Sequence, residues 1–208
     1  MEVLTCNTVG HSTLGVDAFI DLIKAYSINC IADVRSAPWS KHNPQFNREA
    51  LQNDLKKNNI KYLFMGDCLG ARYDDPMLLF SDGRVDFSKV RCMPAFQNGI
   101  ERIQEGLRKG YRIALMCAER DPFDCHRFVL VARELAGNNI LVQHIISVSD
   151  IVTQQELETR LLEKYSKNTR QLTLFDPQKS LRERVGEAYA LRNREIAYTA
   201  ANPQGAQI

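Results

Sequence analysis

Residues 115–127, with the sequence LMCAERDPFDCHR, place two thiols among acidic, imidazole and guanidinium side chains. An apolar run typical of a buried strand ends at Cys117, and an amphipathic helical pattern begins near Arg127. The positive end of a helix dipole and a nearby guanidinium both favour a thiolate, which is the nucleophilic form of cysteine. The segment therefore predicts that Cys117 is a nucleophile and that Glu119 and His126 transfer protons.

Further polar motifs follow the other apolar runs of the chain: GHST at 10–13, DVRSAPWS at 33–40 and GDCLGAR at 66–72. In an open parallel sheet the carboxyl ends of the strands lie at one edge, where ligands bind. We therefore expect these motifs to form one pocket with the CHR segment and to hold an anionic group there. The predicted substrate-binding residues are His11, Ser12, Asp33, Arg35, Arg72, Cys125 and Arg127.

These residues also have structural explanations. Ser12 or Thr13 is a suitable helix cap, and Asp33 and Arg35 are spaced for an ion pair. Cysteine is among the residue types most often buried without a chemical role. No cofactor is assigned, but a zinc site is an alternative, although the spacing Cys-x7-Cys-His matches no compact zinc motif. Its soft ligands would come from His11, Cys117, Cys125, His126 and His144.

Five short apolar runs have the length and composition of buried strands, and amphipathic helical patterns separate them. This alternation predicts an α/β fold in three layers, with a mostly parallel five-stranded sheet and helices on both faces. The pattern changes after Asp150, so residues 1–150 are predicted to form the core domain and residues 151–208 a C-terminal appendage of helices and linker. The predicted strands span 3–9, 30–34, 62–65, 112–117 and 141–146.

The composition is that of an ordinary globular protein, with 44% hydrophobic and 25% charged residues in a chain of 208. A net charge of +2 is too small to identify a nucleic-acid binder by itself. No apolar stretch is long enough to cross a bilayer and no signal peptide is evident. A cytoplasmic location with reduced cysteines is therefore expected, and no membrane partner.

The motifs TVGHS, DVRSAPWSKHNPQF, LGAR and MCAERDPFDCHR together resemble a widespread prokaryotic family, domain-of-unknown-function family 488. The resemblance covers residues 8 to about 146 and implies an α/β three-layer domain without a settled reaction. One departure is Ala71, which stands where members often carry a second glycine after Gly70. The signature that the resemblance implies comprises His11, Ser12, Asp33, Arg35, Cys117, Glu119, Cys125, His126 and Arg127.

The segment QLTLF, residues 171–175, resembles the pentapeptide by which bacterial replication and repair proteins bind the DNA sliding clamp. Gln171 offers amide hydrogen bonds, and Leu172, Leu174 and Phe175 suit apolar pockets. Alternatively, these side chains pack on the core domain, because Leu and Phe side chains that would otherwise be exposed usually pack against another part of the protein. If the segment is a clamp-binding motif, we expect a nucleic-acid substrate and a role in DNA repair.

The leading hypothesis is thus a cysteine-dependent enzyme, a hydrolase or transferase, that acts on an anionic nucleotide or nucleic-acid substrate. One alternative is a non-catalytic factor in nucleic-acid transactions whose pocket only binds a ligand. A second alternative is a zinc-dependent enzyme.

Overall fold

A central sheet of six strands organises the chain in a computed structural model, which describes residues 3–166 and 179–201. The strand order is β3-β2-β4-β1-β5-β6; the first five strands are parallel, and β6 is antiparallel to β5. The predicted α/β class and the five predicted strands are confirmed, and β6 is an addition. The strands are β1 Thr5–Gly10, β2 Cys30–Asp33, β3 Lys61–Phe64, β4 Ile113–Cys117, β5 Leu141–Ser147 and β6 Asp150–Thr153.

Helices cover both faces of the sheet, because the strands bury apolar side chains in alternation on each side. One face carries Val9, Ile31 and Met116 and packs against two helices, α1 and α2. The other face carries Ala32 and Leu115 and packs against the helices that contain Phe96, Phe128, Leu157 and Ala188. The helices are α1 Val16–Ala25, α2 Arg48–Lys57, α3 Gly66–Leu69, α4 Phe87–Arg91, α5 Pro94–Arg108, a π-helical segment Arg127–Ala132 continued by α6 Arg133–Gly137, α7 Gln154–Lys164 and α8 Leu181–Ile196.

Helix α1 does not use the cap that the sequence suggests. Its N-cap is Gly15, which has no side chain to offer, and the helix begins at Val16. Ser12 has a φ of 48°, so the chain turns sharply between the end of β1 and the helix. The prediction of a cap at Ser12 or Thr13 is therefore wrong, because that turn takes up the residues before Gly15.

The described residues after Asp150, 151–166 and 179–201, pack on the sheet and on the helices of the second face. Helix α7 begins with a capping box between Thr153 and Glu156. Helix α8 contributes Ala188 and Tyr189 to the same buried cluster as Leu115. In the part of the chain that the structure describes, no helix is long and apolar enough to span a membrane.

A chain of buried hydrogen bonds fastens α7 and α8 to the sheet. Thr8 Oγ1 lies 2.8 Å from His144 Nδ1, and His144 Nε2 lies 2.9 Å from Gln154 Oε1. Gln154 Nε2 donates to Tyr189 Oη at 2.7 Å, and Tyr189 Oη donates to Glu158 at 2.9 Å. Every ring nitrogen of His144 thus has a partner, which suits a neutral imidazole inside the protein.

We expect this histidine to make stability depend on pH. Burial lowers the pKa of His144 from 6.5 to about 4. The unfolded chain therefore binds a proton that the folded chain refuses, so stability is complete above pH 6.5 and falls as the pH drops towards 4. Between pH 6.5 and 5 the loss should be about 2 kcal/mol. Urea unfolding at both pH values measures it; His144→Gln should remove this share of the dependence and leave that of His11, whose pKa is lowered likewise, and an equally steep dependence in that variant would contradict this assignment.

Candidate metal centre

The candidate site lies where neighbouring strands send their helices to opposite faces of the sheet. Helix α1 follows β1 onto one face, and the helical segment that follows β4 covers the other. Such a switch point opens a crevice beyond the carboxyl ends of the two strands. Two backbone hydrogen bonds continue the pairing there, from His11 N to Cys117 O at 3.0 Å and from Ser12 N to Ala118 O at 2.8 Å.

Three metal-ligating side chains meet in this crevice. The sulfurs of Cys117 and Cys125 and the Nδ1 of His126 all lie within 4.8 Å of one another. His126 Nδ1 is 3.7 Å from Cys117 Sγ and 3.9 Å from Cys125 Sγ. The carboxylate oxygen Oε2 of Glu119 is 3.0 Å from each sulfur. We call these four residues the Cys–His–Glu cluster.

Local structure explains how residues eight apart in the chain come together. Asp121 accepts a hydrogen bond from Phe123 N at 2.9 Å and caps a single 3₁₀ turn, Pro122–Asp124. Proline suits the first position of such a turn, since its φ is already fixed there. Cys125 N then donates to Pro122 O at 3.1 Å, so the turn returns the chain towards the end of β4.

The imidazole of His126 is held by a backbone carbonyl. His126 Nε2 lies 3.1 Å from Val34 O, to which it can only donate. Histidines that bind metals usually donate their second N–H in this way, which fixes the ring and leaves the other nitrogen for the metal. The bond to Val34 therefore directs Nδ1 at the two thiols.

Arg127 brings a buried positive charge to the cluster. Its side chain is fully buried, and Nη1 and Nη2 donate to the carbonyl oxygens of Glu119 and Arg120 at 2.6 and 2.9 Å. Its backbone N–H points at Cys125 Sγ, 3.4 Å away. Among residues 3–166 and 179–201 it has no carboxylate within ion-pair distance. The negative charge that balances Arg127 is thus expected from the cluster itself.

The two thiols have opposite acidities. The hydrogen bond with Cys125 and burial raise the pKa of Cys117 well above its usual value. Burial also acts to raise the pKa of Cys125, but the hydrogen bond from Cys117 and the charge of Arg127 outweigh it and leave that pKa well below its usual value. Burial raises the pKa of Glu119 as well. The sequence predicts the thiolate at Cys117, whereas the structure favours it at Cys125.

Asp33, Arg35 and His11 form a second network beside the cluster. Arg35 donates from Nε and Nη2 to the two carboxylate oxygens of Asp33, at 2.9 and 2.6 Å. Its Nη1 is 3.1 Å from His11 Nε2, and Nη2 also donates to Phe46 O at 2.8 Å. Burial and the charge of Arg35 lower the pKa of His11 to about 4, so this ring is neutral and accepts from Arg35.

Val34 links this network to the cluster, since it stands between Asp33 and Arg35 in the chain and accepts from His126. The ion pair considered for Asp33 and Arg35 is present. All nitrogens of the Arg35 guanidinium have partners within the protein, so an anionic ligand would have to compete with them. The anion-binding role expected of Arg35 is therefore not supported by its contacts.

Three other candidates lie apart from the cluster. The guanidinium of Arg72 lies over the ring of Tyr198, 5.6 Å from its centroid. Ser12 lines a groove of about 310 Å³ beside the cluster, together with Gly10 and Arg120. His144 is bonded to Thr8 and Gln154, so neither of its ring nitrogens is available. Of the five soft ligands considered for zinc, only Cys117, Cys125 and His126 come together.

Arg192 on α8 is a residue of the site that the sequence does not reveal. Its Nε donates to Phe123 O at 3.1 Å, its Nη2 pairs with Asp124, and its guanidinium lies 4.6 Å from the centroid of the Phe123 ring. It thereby holds the turn that precedes Cys125. Nothing in the spacing of two residues almost seventy positions apart indicates this contact, because it depends on how α8 packs.

We expect Arg192→Met to loosen that turn selectively. The variant keeps the apolar stem but loses the bonds to Phe123 and Asp124. Amide exchange of residues 122–126 should become roughly tenfold faster, while β1 and β4 stay protected. Hydrogen–deuterium exchange measures this, with Arg182→Met, at an exposed position of the same helix, as the control. Equal acceleration across the whole chain would mean that Arg192 only stabilises the fold.

Comparison with known proteins identifies the family of the chain. The family described as "Domain of unknown function DUF488" matches residues 15–133. The matched range contains the whole Cys–His–Glu cluster as well as Asp33, Arg35 and Arg127, and begins just after His11 and Ser12. Neither the curated proteins nor the solved structures gave a match. Because the match covers more than half of the 208 residues, the chain belongs to the DUF488 family.

Proposed function

We propose that the chain is a zinc-dependent enzyme whose metal is bound by Cys117, Cys125 and His126. The observation that carries this proposal is the convergence of three ligand atoms within 4.8 Å of one another, with the imidazole anchored through its other nitrogen. Two thiolates and one imidazole are a ligand set that favours zinc. The sequence does not show a regular zinc-binding motif here, because the ligands come from a strand end and a turn.

The surroundings of the cluster favour a cation over free thiols. Cys117 and Cys125 are only 4% and 1% exposed, and a carboxylate oxygen approaches both. Gathering three acidic groups in a buried place is unfavourable unless protons or a metal ion neutralise them. A divalent cation bound by Cys117, Cys125 and His126 would replace the thiol protons, and Arg127 would stabilise the thiolates through its charge and its backbone N–H.

An enzymatic role is favoured by Glu119. Zinc held by these three residues would keep a position open, and the chemistry it would supply there is the acidification of a water molecule. Glu119 is partly exposed and its carboxylate reaches both sulfurs, so it is placed to accept a proton and to release it to solvent. We assign to Glu119 the role of proton acceptor in a hydrolytic reaction.

Glu119→Gln tests this role against that of a fourth ligand. If Glu119 handles protons, the variant keeps its zinc, and azide still changes the visible spectrum of the cobalt-substituted protein because one position is open. If the variant loses its zinc, or azide leaves the cobalt spectrum unchanged in the wild type, the site is closed and structural. Glu101→Gln, at an exposed position of α5 away from the cluster, controls for the loss of a carboxylate.

A thiol-dependent enzyme is the second candidate, because both sulfurs lie within 4 Å of the imidazole of His126, a possible base. Cys117, the predicted nucleophile, and Cys125 then compete for that role. Metal-free protein after isolation, together with rapid alkylation of either cysteine by iodoacetamide, would favour this candidate. Zinc-bound protein that resists alkylation until it is treated with a chelator would favour the first.

Arg120 is a better candidate than Arg35 or Arg127 for holding an anionic substrate. It follows Glu119 directly and is exposed, and its side chain lines two grooves of about 490 and 310 Å³ next to the crevice. All three guanidinium nitrogens of Arg35 have internal partners, and the guanidinium of Arg127 is buried, with Nη1 and Nη2 bonded and Nε without a hydrogen-bond partner. The smaller groove suits an anionic nucleotide or nucleic-acid group better, because Arg120 is the one charged residue in its lining, whereas Asp121, Asp150 and Glu156 also line the larger groove.

Recruitment to the DNA sliding clamp, and with it a role in DNA repair, is proposed from the sequence alone. The segment QLTLF lies outside the described residues. We expect a purified clamp to retain the wild-type chain, and Leu174→Ala with Phe175→Ala to weaken this binding roughly a hundredfold by removing two apolar anchors. Biolayer interferometry measures it. A wild-type chain without affinity for the clamp ends the proposal, whereas clamp binding by a metal-free, unreactive chain would favour the non-catalytic factor.

A further inference from the structure

We infer that Trp39 is a stacking platform for an unpaired base of single-stranded nucleic acid, bound along the basic loop 36–47. The loop leaves β2 at the same sheet edge as the Cys–His–Glu cluster. The inference names single-stranded nucleic acid as the substrate class of the proposed enzyme. It rests on the proposed function only in treating the bound nucleic acid as the substrate. Binding of the strand itself does not require the metal.

The first observation is the exposure of Trp39. Its side chain is 64% exposed, and it is the only aromatic among the large apolar residues that are well exposed in the described part of the chain. Tryptophan is normally buried to a large extent, because its ring has the largest apolar area of any side chain. An exposed ring is available for a planar partner, and every nucleobase has such a face.

The second observation is that the loop holding Trp39 is fixed in place. Arg48 N donates to Pro38 O at 3.0 Å, and Ser40 N donates to Asn47 Oδ1 at 2.7 Å, so both bonds close the loop on itself. Gln45 Nε2 donates to Leu14 O at 3.0 Å and ties the loop to the segment after β1. The ring is thus presented by an ordered backbone, which lowers the entropy lost on binding.

The loop is also fastened to the candidate site at both ends. At its start, Val34 accepts the hydrogen bond from His126, and Arg35 contacts His11. At its end, the ring of Phe46 stacks on His11 with centroids 4.2 Å apart. A strand that lies on this loop would therefore pass beside the switch-point crevice.

The third observation is the charge of the loop. Residues 34–48 contain no Asp or Glu, and Lys41, His42 and Arg48 are exposed. The guanidinium of Arg48 stands over the Phe64 ring, 4.4 Å from its centroid, which leaves its N–H groups at the surface. Positive side chains interleaved with an aromatic ring suit a phosphate backbone with unpaired bases. A duplex is excluded from this mode because its bases are already stacked.

Trp39 is the single tryptophan of the chain, so its fluorescence reports this contact alone. Titration of the purified full chain with a single-stranded oligothymidylate should quench the emission to saturation, and added salt should weaken the binding. Anisotropy of a labelled oligonucleotide then compares variants. Trp39→Ala should weaken binding roughly tenfold or more, and Trp39→Phe should recover part of the loss.

Met77→Ala is the matched control, because Met77 is 78% exposed and lies outside the loop; it should bind like the wild type. Unchanged affinity in Trp39→Ala, or binding without quenching, overturns the inference. Concentration-dependent dimerisation that buries Trp39 overturns it as well, since the ring would then serve a second copy of the chain. These outcomes leave the zinc content untouched, and loss of zinc leaves strand binding intact, so the two proposals fail separately.

Discussion

Replacing Gly10 with alanine should destabilise the folded chain by more than about 3 kcal/mol. Gly10 ends β1 and pairs with Cys117, and the chain of Glu119 passes directly over it. A Cβ atom at this position would overlap the carbonyl oxygen of Glu119, and the obstacle is backbone that cannot move aside. That carbonyl also accepts the hydrogen bond of Arg127, so any shift propagates into the cluster.

Gly15→Ala is the matched control for Gly10→Ala, since no atom lies within 4 Å of a Cβ there and the backbone has ordinary angles. Urea unfolding followed by circular dichroism compares the two variants. We expect the control to stay within about 1 kcal/mol of the wild type, a loss that reflects the poorer N-cap that alanine provides for α1. A Gly10→Ala chain as stable as the control would mean that the approach of Glu119 to β1 is looser than the structure has it.

Arg127→Met should destabilise the chain by about 3 kcal/mol, the second-largest effect we expect. The change keeps most of the buried volume but leaves the carbonyl oxygens of Glu119 and Arg120 without their donors. It also removes the buried charge that balances the thiolates. The segment from Ala118 to Cys125 should lose its fixed path as a result.

Arg127→Lys separates the two contributions to this effect. Lysine keeps the charge, but a single ammonium group does not reproduce the planar fork that reaches two carbonyls. Its stability should fall between those of the wild type and Arg127→Met. If lysine and methionine are equally destabilising, the charge contributes little, and the electrostatic part of this account is wrong.

The sequence predicts the neighbourhood of the site better than its chemistry. Apolar runs that end in polar motifs are a local signal, and because parallel strands end at one sheet edge, they place the residues after β1, β2 and β4 together. The three candidate zinc ligands that meet, Cys117, Cys125 and His126, all lie in the segment 115–127, which is the richest in reactive side chains. The alternation of strand-like apolar runs with helical patterns is likewise enough to predict the five parallel strands.

What the sequence does not predict depends on contacts between distant residues. Strand β6 has only four residues and follows β5 after two residues, so its alternation of apolar and polar side chains is too short to be recognised. The lowered pKa of Cys125 depends on the hydrogen bond from Cys117 and on the buried charge of Arg127, and neither contact can be recognised in the sequence. Arg35 bonds to Asp33, His11 and Phe46 only when the loops pack together. Arg192 contacts the turn before Cys125 only when α8 packs on it.

The zinc content of the chain, isolated without a histidine tag, is the most direct test of the central claim. Inductively coupled plasma mass spectrometry should find about one zinc per wild-type chain and less than about a tenth of that in Cys125→Ser or His126→Phe. Cys92→Ser, which changes an exposed thiol, should keep the full amount. Circular dichroism must show that each variant is folded. A folded wild-type chain that takes up no zinc, even when zinc is supplied during growth and purification, would contradict the account.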